Sequence, residues 1–203
     1  MVTEKQKIHD KNWSKKDISL KINDSNASII SILPSFSCAL DVGCGTGELM
    51  LFLKKKGAKI RGVDISSKAL SVAKKRGLNV KKVDLDEGLE FSSNSFDLVI
   101  CNQVLMHVFN PSFIISEMKR VSKKYVLINV PNHLYWRIRL KMLFGSLPDI
   151  LSSPAAHIRL FNYFQIRSMI DKNDLRIVSE SFTGKSLFPS MLATGFTFLC
   201  EKK

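Results

Sequence analysis

Cysteine is scarce in this chain, and its few cysteines lie far apart. They are Cys38, Cys44, Cys101 and Cys200, and no Cys-x-x-Cys pair occurs. Zinc sites and disulfide frameworks need cysteines at short, regular spacings, so we expect no metal site and no disulfide framework. Scattered, reduced thiols are typical of a cytoplasmic protein.

Long apolar runs are also missing. No stretch approaches the length of a hydrophobic helix that spans a bilayer. Residues 1–17 are polar and lack the apolar core of a secretory signal. We therefore expect no transmembrane segment, which again favours the cytoplasm.

Acidic residues are outnumbered, with 18 Asp and Glu against 31 Lys and Arg, for a net charge of +13. The lysines cluster near predicted helix ends, for example at 54–56 and 74–76, as on a solvated surface. Only residues 135–141 mix basic and aromatic side chains as nucleic-acid-binding segments do. Because charge alone is weak evidence for a partner, we regard nucleic acid as a disfavoured partner.

Short apolar runs alternate with amphipathic segments from residue 38 onward, after a polar lead-in, loose or helical, over residues 1–25. Predicted strands cover 38–43, 59–64, 79–84, 96–102 and 124–130, and predicted helices cover 47–57, 66–77 and 110–122. This alternation predicts an α/β fold with a parallel sheet covered on both faces.

The rhythm changes after residue 131. Residues 133–156 read as an inserted segment, which we interpret as a lid over a substrate pocket. The alternatives are a docking surface for a protein partner, a membrane-surface helix, or apolar residues that simply pack on the sheet. A helix is predicted over 162–173, and two closing strands over 175–181 and 195–202 can pair as a hairpin. Without a linker to divide it, the chain of 203 residues is expected to form a single domain.

The run Asp-Val-Gly-Cys-Gly-Thr-Gly at 41–47 follows the first predicted strand. Ligands of open α/β sheets bind beyond the carboxyl ends of the strands. Glycines at Gly43, Gly45 and Gly47 let the chain turn sharply and let a ligand approach the backbone. We interpret Cys44 as a small residue of this turn, not a nucleophile, because no base lies near it in sequence.

The spacing of this turn favours one kind of ligand over another. Dinucleotide sites use Gly-x-Gly-x-x-Gly, whereas this turn is Gly-x-Gly-x-Gly, and Asp41 would repel a pyrophosphate. An acid suits a ligand with a cationic end, and S-adenosylmethionine carries an ammonium and a sulfonium. The pattern resembles the first motif of class I S-adenosylmethionine-dependent methyltransferases.

Two more aspartates end the next two predicted strands. Asp64 is placed to accept the ribose hydroxyls of a nucleoside, and the resemblance implies that Asp84 faces the adenine amino group. It also implies cofactor-binding positions at Ile65, Leu85, Asn102 and Gln103. The alternative is that the three aspartates cap strands and turns, and that Asn102 and Gln103 are strand-end caps.

A closer resemblance is to the MetW family of methionine biosynthesis. This resemblance rests on the Asp-Leu-Asp-Glu-Gly-Leu run at 84–89, the Pro-Asn turn at 131–132 and Trp-Arg-Ile-Arg at 136–139. A family Pro-Asn-Ile-His appears only in part, at 154–157. The resemblance implies a Rossmann-like class I methyltransferase fold with a mostly parallel seven-stranded sheet in the order 3-2-1-4-5-7-6, the last-added strand being antiparallel. It also implies a homoserine O-acyltransferase as a partner.

Methyl transfer is an in-line displacement that depends mainly on positioning, and a base is needed only if the acceptor must lose a proton. His107 and His157 are the candidate bases, and the alternatives are a packing histidine and a turn-capping histidine. No Asn-Pro-Pro-Tyr or Asp-Pro-Pro-Tyr run follows the fourth strand, and no Pro-Cys pair occurs. We therefore expect a small-molecule acceptor. A regulatory subunit without turnover and a nucleic-acid methyltransferase are the alternatives.

Overall fold

The computed structural model describes residues 4–14, 23–146, 158–184 and 188–203. The helices in these ranges are Glu4–Ser14 (α1), Asp24–Ser31 (α2), Glu48–Lys55 (α3), Ser67–Lys75 (α4), Pro111–Val121 (α5), Trp136–Leu143 (α6), Tyr163–Lys172 (α7) and Pro189–Leu192 (α8). The strands are Cys38–Val42 (β1), Lys59–Asp64 (β2), Asn79–Lys82 (β3), Phe96–Asn102 (β4), Ser122–Pro131 (β5), Leu175–Gly184 (β6) and Ala193–Lys202 (β7). Short 3-10 turns cover Leu85–Glu87 and Leu105–His107.

The strands form one sheet in the order β3-β2-β1-β4-β5-β7-β6. β1 is parallel to both β2 and β4, and β3 and β5 continue the parallel pairing outward. β7 is antiparallel to both of its neighbours, β5 and β6. The predicted order, the closing hairpin and the antiparallel last strand are thus confirmed. The chain changes direction across the sheet between β1 and β4, the position where α/β sheets bind ligands.

The central strands are buried on both faces, as their apolar sequences predict. Leu40 and Val42 pack into the core on one face, and Ala39, Leu98 and Ile100 pack on the other. Burial on both faces explains why β1 and β4 are nearly continuous apolar runs.

β3 differs because it lies at the sheet edge. Asn79, Lys81 and Lys82 are exposed there, and only Val80 packs against the core.

Two helix starts follow directly from their capping residues. Ser66 Oγ accepts a hydrogen bond from the Ala69 amide at the start of α4, and Asn110 accepts one from Phe113 at the start of α5. Pro111 occupies the first turn of α5, where a missing N–H costs nothing. Both helices therefore begin within a residue of where the sequence predicts.

The two segments that the sequence leaves open are partly helical. α1 lies within the polar lead-in, and α6 begins the inserted segment, whose residues 147–156 lie outside the described ranges. No helix in the described part of the chain combines the length and apolar character needed to cross a membrane.

Candidate functional site

A cavity of about 400 Å³ opens at the carboxyl ends of β1, β2 and β4. Most residues predicted from the sequence line it: Asp41, Gly43, Cys44, Gly45, Asp64, Ile65, Asp84, Leu85, Asn102, Gln103 and His107. The cavity stands where the strand order reverses, which is the expected ligand position in this architecture. The role of each residue toward a ligand stays a prediction.

The glycine turn lies close to the segment that follows β4. Gly43 has φ +74°, and a Cβ there would stand 2.2 Å from Val104 Cγ2. The amides of Gly43 and Cys44 both donate to the Val63 carbonyl, at 2.8 and 2.9 Å. The turn is therefore tied to β2, and only glycine fits its first position.

Gly47 does not line the cavity, although we predicted it among the cofactor-binding residues. It precedes α3 with φ +80°, and a Cβ at this position would stand 2.1 Å from Leu78 Cδ1. Its missing side chain makes room for Leu78, and its predicted contact with a cofactor stays a prediction. Gly43 and Gly47 are therefore both required by close packing against an apolar side chain, Val104 in one case and Leu78 in the other.

Asp64 ties the glycine turn to the next helix. Its carboxylate accepts hydrogen bonds from the Gly45 amide and the Ser66 amide, both at 2.8 Å. Burial raises the pKa of Asp64, and these two bonds offset part of the rise. A carboxylate has about four lone-pair sites, so Asp64 retains acceptor capacity for a ligand hydroxyl.

Asp41 lines the same cavity, but its hydrogen bonding differs from that of Asp64. It is 3% exposed, and no donor in the described part of the chain makes a hydrogen bond to its carboxylate. Burial, followed by the nearby charge of Asp64, raises its pKa to about 7. A buried carboxylate without a donor is costly, and a cation in the cavity would relieve that cost.

Asp84 is already engaged within the protein. Its Oδ1 caps the 3-10 turn by accepting from the Asp86 amide at 3.1 Å, and it also accepts from Lys5 Nζ at 2.9 Å. Lys5 donates to the Asp86 carboxylate as well. This third aspartate therefore sits at the cavity wall with its charge balanced by a lysine of α1.

α1 covers part of the cavity through polar contacts. Gln6 Nε2 donates to Ser67 Oγ at 2.9 Å, and Asp10 accepts from Ser66 Oγ and from the Lys68 amide. Lys5 and His9 of this helix line the cavity. Nothing in the polar pattern of residues 1–25 indicates this contact, because α1 has no periodic apolar stripe.

His107, one of the two predicted bases, lies at the cavity wall. It ends the 3-10 turn, is half-buried, lines the cavity, and packs edge to face against His9 with ring centroids 5.5 Å apart. Burial lowers the pKa of His9, which favours its neutral imidazole. His157, the other candidate base, lies outside the described residues.

Asn102 joins the cavity wall to α2. Its Nδ2 donates to Asn26 Oδ1 at 2.9 Å, and its Oδ1 accepts from Ser25 Oγ at 2.7 Å. Ser25 and Asn26 line the cavity too and were not predicted. Gln103 follows with φ +55°, and its amide donates to Asn129 O at 2.9 Å.

Cys44 is unsuited to nucleophilic chemistry. Its side chain is 9% exposed and packs with Met50 and Leu70 beneath the turn. Burial, with the charges of Asp41 and Asp64, raises the pKa of the thiol, so no thiolate forms near neutral pH.

The sheet order, the reversal between β1 and β4 and the glycine turn define a class I S-adenosylmethionine-dependent methyltransferase fold. Within that class, the family described as "Methionine biosynthesis protein MetW" matches residues 23–179. The chain belongs to the MetW family.

Curated relatives match parts of the chain. A bifunctional methionine biosynthesis protein MetXA/MetW of Rhodopirellula baltica is 32% identical over 133 residues, which is 61% of this chain and 21% of that protein. A ubiquinone biosynthesis O-methyltransferase of Hahella chejuensis is 37% identical over 90 residues, which is 41% of this chain and 38% of that enzyme. The chain thus spans between about a fifth and two fifths of the length of these two relatives.

Solved structures share the fold over 86% to 100% of this chain. Magnesium protoporphyrin IX methyltransferase of Synechocystis PCC 6803, solved with bound SAH, has a TM-score of 0.66 and 20% sequence identity. The match covers 100% of this chain and 89% of that one.

Proposed function

We propose that this protein is an S-adenosylmethionine-dependent methyltransferase that transfers a methyl group to a small-molecule acceptor. The observation that carries the proposal is the Asp41 carboxylate, which is buried at the cavity wall with no donor from the described part of the chain. S-adenosylmethionine brings an ammonium and a sulfonium, and a nearby positive charge favours an ionised carboxylate. A pyrophosphate ligand would add negative charge beside Asp41 and Asp64.

The other cavity residues suit the remaining parts of this cofactor. Asp64 retains lone pairs for the ribose hydroxyls. Gly43 and Gly45 line the cavity, and Ile65 and Leu85 offer apolar contact beside them. When bound, S-adenosylmethionine supplies a methyl group on a positively charged sulfur.

The contribution of the chain to the reaction is positioning, exclusion of water and, where needed, proton removal. An acceptor lone pair forms the new bond to the methyl carbon while the carbon–sulfur electron pair leaves with sulfur. His107 lies at the cavity wall to take a proton from an acceptor that carries one. The Hahella relative, by name an O-methyltransferase of ubiquinone biosynthesis, supports a small-molecule acceptor.

An assay for S-adenosylhomocysteine with extracted metabolites tests this function. We expect product with the unaltered protein, a loss of at least about tenfold in Asp41→Asn, equivalent to about 1.4 kcal/mol, and no loss in Asp174→Asn. Asp174 is a matched control because its side chain is 76% exposed. Turnover that is unchanged in Asp41→Asn would contradict the proposal.

A second candidate is a partner subunit without turnover, joined to a homoserine O-acyltransferase. The Rhodopirellula relative favours it, since that protein is by name bifunctional, with MetXA and MetW in one chain. Acyltransferase activity measured with and without this protein separates the two functions. A cytoplasmic location is part of both proposals, supported by four cysteines that are all unpaired.

A further inference from the structure

α6 has no buried side chain. Trp136, Leu140 and Leu143 recur at a spacing of four and three residues, which places them on one side of the helix. Phe144 extends this stripe at the helix end. Leu143 and Phe144 are 78% and 79% exposed, which is unusual for large apolar side chains next to one another.

The turn before β7 enlarges this apolar area. The Arg139 guanidinium on α6 donates to the Ser190 carbonyl at 3.3 Å, which places α8 beside α6. Phe188 and Met191 flank Ser190 and are 68% and 45% exposed. We call Trp136, Leu140, Leu143, Phe144, Phe188 and Met191 together the α6 surface.

Positive charge borders the α6 surface, and negative charge is missing from its segments. Arg137, Arg139 and Lys141 alternate with the apolar residues of α6, and the Arg137 guanidinium stacks over the Trp136 ring at 5.4 Å. Residues 132–146 and 188–200 contain no Asp or Glu. An apolar stripe with basic neighbours and an aromatic at its edge is typical of segments that lie on anionic bilayers.

The positive charge around the α6 surface distinguishes between two possible binding partners, a second copy of the chain and an anionic lipid bilayer. A second copy of the chain would bring the same arginines and lysine face to face, in a protein whose net charge is already +13. An anionic lipid surface satisfies both features, because phosphate headgroups attract the cations while the acyl boundary takes the apolar side chains. We propose that the α6 surface binds the surface of an anionic lipid bilayer, without spanning it.

The placement of α6 relates this surface to the cavity. β5 ends at Pro131, at the same carboxyl edge of the sheet as the cavity, and α6 begins five residues later. Bilayer binding does not depend on methyl transfer, so either proposal can fail while the other holds.

Co-sedimentation with vesicles tests the proposal on the full chain. Vesicles of phosphatidylcholine alone are compared with vesicles that also contain phosphatidylglycerol, at low and high salt. We expect binding to the anionic vesicles only, weakened by salt. In Arg137→Gln/Lys141→Gln and in Leu143→Glu/Phe144→Glu, we expect partitioning to fall at least about tenfold.

Two matched control variants test whether the loss of any exposed lysines, or of any exposed apolar side chain, would weaken vesicle binding. Lys55→Gln/Lys75→Gln removes two exposed lysines elsewhere, and Phe113→Glu alters a side chain that is 37% exposed on α5. Both controls should sediment like the unaltered protein. Equal binding by the α6 variants, no binding by the unaltered protein, or a dimer that Leu143→Glu/Phe144→Glu disrupts would each overturn the proposal.

Discussion

The carboxylates of Asp41 and Asp64 line one cavity, and the charge of Asp64 raises the pKa of Asp41 beyond the effect of burial. Two buried acids beside each other are an unfavourable arrangement for folding alone. Asp64 gains two backbone hydrogen bonds in return, whereas Asp41 gains none from the described part of the chain. This arrangement supports our proposal that the two carboxylates face a cationic ligand.

The coupling between the two acids is measurable. In Asp64→Asn, we expect the pKa of Asp41 to fall below its value of about 7, because one of the two causes of the rise is removed. Carboxyl carbon NMR of the ligand-free protein follows this titration. Asp174→Asn should leave the value unchanged, and an unmoved Asp41 titration in Asp64→Asn would show that burial alone sets it.

Asp41 also predicts a pH dependence of stability. Its pKa is about 7 in the folded protein against an ordinary 3.8, so the folded state holds the proton more tightly. Stability from this group is therefore greatest below pH 3.8, falls as the pH rises toward 7, and is flat above. Relative to the unaltered protein, Asp41→Asn should gain about 2–4 kcal/mol of unfolding free energy between pH 4 and pH 8.

Urea denaturation at those two pH values checks this expectation. The quantity to compare is the difference in unfolding free energy between Asp41→Asn and the unaltered protein, at pH 4 and at pH 8. The cost of burying the new amide is the same at both pH values, so it cancels in this comparison. A difference that is constant with pH would mean that Asp41 keeps its ordinary pKa when folded.

Gly47→Ala tests the packing role of the third glycine. The new Cβ would clash with Leu78 in addition to the strain of φ +80°, so we expect a loss of about 2–4 kcal/mol. Gly57→Ala is the matched control, because Gly57 has φ +87° with nothing within 4 Å, and it should cost only about 1 kcal/mol. If thermal or urea denaturation shows that Gly47→Ala and Gly57→Ala lose the same unfolding free energy, the clash with Leu78 does not contribute to the loss.

Lys5 is expected to hold α1 over the cavity. In Lys5→Ala, the contacts to Asp84 and Asp86 are lost, and amide hydrogen exchange over residues 4–14 should become faster. Lys7→Ala changes an exposed lysine on the same helix and should leave the exchange rates as they were. If both variants exchange alike, Lys5 does not anchor α1.

The sheet could be predicted from the sequence because its signals are local. The buried runs of β1 and β4 and the caps at Ser66 and Asn110 act over a few residues, and the class resemblance fixes the strand order. The glycine turn and its neighbouring aspartates could be located for the same reason, since they lie at or just beyond strand ends.

The rest of the site depends on contacts between distant residues. Lys5 meets Asp84 across 79 positions, and Asn102 meets Asn26 across 76. Polar helices such as α1 leave no periodic pattern, so nothing in the sequence predicts which face meets the cavity. The same limit applies to Gly47, whose spacing is that of a ligand-contacting glycine while its neighbour in space is Leu78.

The most direct test is calorimetric titration of S-adenosylmethionine into the unaltered protein and into Asp41→Asn at pH 8, where Asp41 is ionised. We predict that the unaltered protein binds S-adenosylmethionine at least about tenfold more tightly than Asp41→Asn does, and that this difference shrinks as the pH falls below 7. Equal affinity at pH 8, or tighter binding of a nicotinamide dinucleotide, would contradict it.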